Sequence, residues 1–170
     1  MSELKHPVPS QLLEHIGDIT VSFAMLEGVI QGLVGPMINE HQRVGQIITA
    51  ELSFKNLRAL AISLYLERHG EDDDFGDLRE LMKRAGQTEQ ARNRITHSVW
   101  AAGKTPDTIT RVKTTAKEKH GVQFKFEQLG ASDLAEVAEE ARALAFDIQK
   151  FMIKLIDEGK AINSPIQKTW

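Results

Sequence analysis

Arg92, Asn93 and His97 are the residues of this sequence whose types and spacing together suit a chemical step. An imidazole titrates near neutrality, so His97 can take or give a proton during a reaction. A guanidinium presents a planar fork that matches two oxygens of a phosphoryl group, which suits Arg92 to holding one. At about 100° per residue of helix, Asn93 lies one turn from His97 on the same face. There its amide can orient the imidazole or bond a phosphate. Arg92 sits roughly 140° around the axis from His97, so the two meet only if the arginine side chain bends or a second chain supplies one of them. The step these residues suit is proton transfer at a phosphodiester without a metal. The competing reading pairs Arg92 with a carboxylate such as Glu89 and leaves His97 satisfying a helix end.

Other chemistries find less support. His6, His15, His41, His69, His97 and His120 show no HExxH or paired-histidine spacing, which argues against a zinc hydrolase. The chain has no cysteine, which excludes thiolate nucleophiles, disulfide frameworks and cysteine-ligated zinc. No GxGxxG and no phosphate loop ending in Gly-Lys-Ser/Thr occurs, and nothing singles out a carboxylate pair of the glycosidase kind. No metal and no cofactor is therefore expected. With a net charge of −3 the chain has no general pull toward nucleic acid, so any RNA contact must be local.

The elements that position these residues read as helices. At 170 residues the chain suits a single domain, 1–170, with a substantial core. Met1 to Ser10 has no signal-peptide core and no apolar run approaches about 20 residues, so a cytoplasmic protein with no membrane span is expected. The first helix starts near Ser10 with the stripe Leu12, Ile16, Ile19, Phe23, Leu26, Ile30, Leu33 and Met37. Gly35-Pro36 is a stop or a kink. Gly28 and Gly32 read as tolerated glycines, with close approach of another helix as the alternative. A second region runs from about Asn39 to Arg68, with one apolar stripe at Val44, Ile47 and Ile48 and another at Phe54, Leu57, Leu60, Ala61 and Leu64. Ser53 either caps a new helix there or marks a bend.

Glu71-Asp72-Asp73-Asp74 lacks the spaced ligands of a calcium loop and reads as the capped, solvated start of a third helix. That helix is expected from Asp74 to Ala102, with Leu78, Leu81, Met82, Ala85, Ile95 and Val99 as its buried stripe. Beyond Pro106 the pattern changes: Thr108–Thr114 and Val122–Leu129 bracket Lys119-His120-Gly121 and predict a β-hairpin. Arg111, Lys113, Lys117, Lys119 and Lys125 make it basic, either to protect an edge strand or to meet nucleic acid. The last helix starts at Ser132-Asp133 with the stripe Leu134, Val137, Ala141, Leu144, Ala145, Ile148, Phe151, Met152, Leu155 and Ile156, and ends at Gly159 before a mobile tail, 159–170. The expected fold is all-α, a four- to five-helix up-and-down bundle with a small β-hairpin insertion at about 105–130. Phe23, Leu26, Leu57, Leu81, Leu144 and Ile148 are its expected core.

Arg92-Asn93-Arg94-Ile95-Thr96-His97, late in a long helix of such a bundle, resembles the R-x4-6-H signature of the HEPN superfamily (higher eukaryotes and prokaryotes nucleotide-binding domains). The match includes the polar residue preferred after the arginine, here Asn93. It covers Ser10 to about Gly103 and the last helix, with the hairpin as a variable insertion. The resemblance implies a homodimer whose two motif copies line one cleft. It also implies a metal-independent endoribonuclease of toxin or phage-defence type, with Arg92, Asn93 and His97 catalytic and RNA the substrate. In a symmetric dimer the second His97 would protonate the leaving 5′-oxygen, giving a 2′,3′-cyclic phosphate and a 5′-hydroxyl. An antitoxin or regulatory partner would fit such a system. Some antitoxin-paired members carry a tyrosine two residues after the histidine, where this chain has Val99. The alternative is a non-catalytic HEPN-like dimer that binds RNA, nucleotide or a protein.

Overall fold

Helix α1 (Ser10–Ile38) and helix α5 (Ala131–Asp157) make the most extensive helix–helix contact, and their apolar spacing is the reason. The computed structural model of the chain describes residues 8–39, 41–117 and 121–160. On α1, Leu12, Ile19, Phe23, Leu26, Ile30, Leu33 and Met37 are all buried, as are Leu134, Ala141, Leu144, Ala145, Ile148, Phe151 and Leu155 on α5. Each such leucine, isoleucine, phenylalanine or methionine removed from water contributes about 1.5–3 kcal/mol, and each alanine less. That burial offsets the low helix propensity of glycines 17, 28, 32 and 35. By length and composition α1 is apolar enough to cross a membrane; here its buried residues face the other helices and the sheet.

Pro36 does not stop α1, which continues to Ile38. The region after it is two helices, α2 (Gln42–Ala50) and α3 (Phe54–His69), and the Ser53 hydroxyl caps α3 by accepting from the Asn56 N–H at 3.2 Å. Helix α2 crosses α1 at Gly45, where a Cβ would come within 2.7 Å of the Gly35 backbone. Only glycine fits there. The Val44-Ile47-Ile48 stripe consequently faces water, with Ile47 72% exposed, while Gly45 and Thr49 are the buried residues of α2. At Gly28 and Gly32 nothing approaches, as tolerated glycines require.

Helix α4 (Asp73–Thr96) is capped by Asp72, whose carboxylate accepts from the Phe75 N–H at 2.9 Å. The acidic run does more than solvate this end. Asp72 also accepts from the Tyr65 hydroxyl at 3.1 Å, and the buried Asp74 is bonded by Lys154 and Lys160. Those ammoniums hold the Asp74 carboxyl well below the usual carboxylate range, at about 2. Lys160 thereby contacts the start of α4; residues 161–170 of the expected mobile tail lie outside the described residues.

The long third helix expected to reach Ala102 ends instead at Thr96, and Leu81 is half-buried rather than core. Val99–Ala102 forms strand β1, which pairs antiparallel with β2 (Thr108–Lys117), and β2 pairs with β3 (Gly121–Gly130). The element is a three-stranded sheet in the order β1-β2-β3, larger than a hairpin, and the described residues outside it are mostly helical. Val99 stands opposite Val112 and is 70% exposed, so it belongs to no buried stripe. The β1–β2 turn requires glycine at 103, where a Cβ would lie 2.2 Å from the Thr108 carbonyl oxygen. Ile109 and Leu129 anchor the sheet in a second apolar cluster with Leu12, Ile19, Ile95 and Leu134. The Trp100 indole N–H donates to the Ile95 carbonyl at 3.2 Å and ties β1 to the end of α4.

Candidate functional site

Ile95, buried in the second cluster, fixes the rotation of the last turn of α4 and with it the directions of Arg92, Asn93, Arg94 and His97. Arg92 is half-buried. Its guanidinium carbon lies over the Phe23 ring, 4.2 Å from the centroid, and Phe23 in turn packs on Phe54 at 4.6 Å. The expected competitor for Arg92 is engaged elsewhere: Glu89 pairs with Arg58 at 3.3 Å. His97 caps α4 through its backbone, donating its N–H to the Asn93 carbonyl at 3.2 Å, while its side chain is exposed. Within one chain, then, no hydrogen bond joins the Arg92 guanidinium to the His97 imidazole. Asn93 and His97 share the last turn, as the spacing requires.

Asn93 opens into a groove of 840 Å³ between α4 and the sheet, which Gln90, Arg94, Arg111, Lys113, Lys125, Phe126 and Glu127 line with it. Two arginines build its floor. Glu127 is ion-paired with Arg94 and accepts from Arg111 at 3.1 Å. Arg111 also donates through Nε to the Arg94 carbonyl at 2.9 Å and to the Ser98 hydroxyl at 2.7 Å, which joins β2 to the residue after His97. Burial, with the charge of Arg94 beside it, lowers the proton affinity of the Arg111 guanidinium; it stays cationic at neutral pH.

Four cations against one carboxylate make this groove positive on a chain whose net charge is −3. Such a concentration attracts phosphate groups through counterion release and direct pairing. His97 does not line the groove; it stands next to Ser98, which holds Arg111 at the groove wall. The side chain of Lys117, and Lys119, lie outside the described residues.

The sequence marks Arg111 as part of a basic hairpin but not as a neighbour of α4, and it does not single out Arg94 as a binding residue. The signal for them is the β2–β3 register set by the turn at Gly121, which places Arg111 directly opposite Glu127. Arg94 then joins Glu127 from the helix. Among the described residues no three histidine, aspartate or glutamate side chains are grouped as a metal site. Comparisons of the chain with family models, with curated proteins and with solved structures found no match.

Proposed function

We propose that this chain is a metal-independent endoribonuclease of the HEPN kind, acting in the cytoplasm as a homodimer in a toxin or phage-defence role. The observation that carries the reading is the cationic groove at the end of the helix that bears Asn93 and His97. Arg94, Arg111, Lys113 and Lys125 would hold the phosphates of a single strand there. His97 takes the ribose 2′-hydroxyl proton, the 2′-oxygen attacks phosphorus, and the P–O5′ bond breaks. A guanidinium offsets charge building on the phosphoryl oxygens. The leaving 5′-oxygen takes a proton from the second His97, and the products are a 2′,3′-cyclic phosphate and a 5′-hydroxyl.

One chain offers a single His97, a base with no separate acid, and no hydrogen bond joins it to Arg92, so the reading needs two copies. A helical up-and-down bundle paired near the end of α4 would let Arg92 of one chain serve His97 of the other. Light scattering should give the mass of a dimer at micromolar concentration. Excess His97→Ala chain, mixed and exchanged with wild type, should suppress cleavage, because a mixed dimer holds one His97 and lacks either the base or the acid. A monomeric mass, or cleavage undiminished by the excess variant, would contradict the composite site.

The hold of Phe23 on Arg92 favours a second reading, a non-catalytic RNA-binding dimer in which that arginine serves packing. RNA bound but left intact by the wild-type chain, in a chelating buffer and across varied sequences, would select it.

A further inference from the structure

The sheet has a second face that the fold does not use. Alternation along β3 sends Val122, Phe124 and Phe126 to the side opposite Leu129, away from the apolar cluster that anchors the sheet, and Phe126 also borders the α4 groove that Lys113 and Lys125 line. The two rings are 59% and 71% exposed, stack on no other ring among the described residues, and stand on an edge strand. Exposed rings on an edge strand promote aggregation, and an exposed apolar patch marks a contact surface. Their strand spacing of two residues separates them by about 6.6–6.8 Å. On the other face of the same two strands, Lys113 and Lys125 are direct cross-strand partners. Like charges so placed repel, and an anion between them would relieve the repulsion. Rings on one side of a strand edge and paired ammoniums on the other match a polymer of bases and phosphates. A wholly apolar protein surface would match the rings alone and make no use of the lysines.

We propose that Phe124 and Phe126 form a base-stacking platform for single-stranded RNA, with Lys113 and Lys125 holding the phosphates at the edge of β3. This rests on the reading of the chain as an RNA-binding protein and extends its substrate site from the α4 groove onto the hairpin. Stacking is tolerant of sequence, so the platform would bind unpaired RNA in general and reject duplex, whose bases are already stacked.

The test is fluorescence anisotropy of the full-length chain with a labelled 2′-O-methyl single strand of about a dozen nucleotides, which has no free 2′-hydroxyl and so separates binding from cleavage. Phe124→Ala and Phe126→Ala should each weaken binding about 5- to 150-fold, while Phe→Tyr substitutions keep it. The slope of affinity against salt should stay as in wild type for the phenylalanine variants. It should fall by about one for Lys113→Ala or Lys125→Ala. Wild-type protein that binds the strand while the phenylalanine variants bind equally well would overturn the platform and leave the groove reading intact. No binding by wild type would overturn both. A phenylalanine variant that loses dimer mass along with affinity would assign the rings to contact between copies of the chain, and would overturn the platform too.

Discussion

The guanidinium of Arg92 on α4 lies over the ring of Phe23 on α1, 4.2 Å from its centre. A charge so placed is attracted by the ring's quadrupole, and the contact ties the two helices beside the core. The arginine of the motif is thus positioned by packing, and the histidine by a helix end.

That difference separates the two residues in a stability measurement. Arg92→Ala should lower unfolding stability by about 0.5–2 kcal/mol, read from urea denaturation. His97→Ala, at an exposed position, should change it by less than about 0.5 kcal/mol. Equal losses would mean that the Phe23 contact contributes nothing.

Acid should weaken the fold through Asp74. Its carboxyl sits at about 2 in the folded chain against an ordinary 3.8, so the unfolded chain binds the proton first. The stabilisation is complete above about pH 4 and is lost as pH falls toward about 2. Asp18, bonded by Arg142, and Asp147, bonded by Arg84, are lowered in the same direction and add to the loss. Asp74→Asn should be less stable than wild type at neutral pH, because Lys154 and Lys160 are left facing each other, and should show a shallower acid limb. A wild-type urea midpoint that stays flat over this range would contradict the account.

The helices were legible because burial follows spacing: Leu12 through Met37 and Leu134 through Leu155 declare their faces without outside information. Asn93 and His97 were legible as a pair because four residues make one turn. The end of α4 was not. Val99 falls four residues after Ile95, which continues a helical stripe, and it is equally at home in a strand. Only the distant pairing with Val112 decides between them. The same holds for Arg92, whose partner Phe23 lies 69 positions away in the chain, and for α2, whose apolar residues are turned outward by the Gly35–Gly45 crossing.

Core and surface should separate as sharply in mutation as they do in exposure. Leu144→Ala, at a fully buried position of the main cluster, should cost about 2–5 kcal/mol. Ile47→Ala on α2 should cost less than about 0.5 kcal/mol, despite the similar loss of apolar side chain. A large loss at Ile47 would show that α2 packs on another chain.

Cleavage of a labelled single-stranded RNA in the presence of a chelator, by wild type and by His97→Ala, bears most directly on the catalytic assignment. Removing a general base costs about 10²–10⁴-fold in rate. The variant should therefore lose activity by that factor while keeping the wild-type unfolding midpoint and its affinity for an uncleavable strand. Wild-type products should carry 2′,3′-cyclic phosphate ends. RNA left intact by wild type, or cut equally well without the imidazole at position 97, would contradict it.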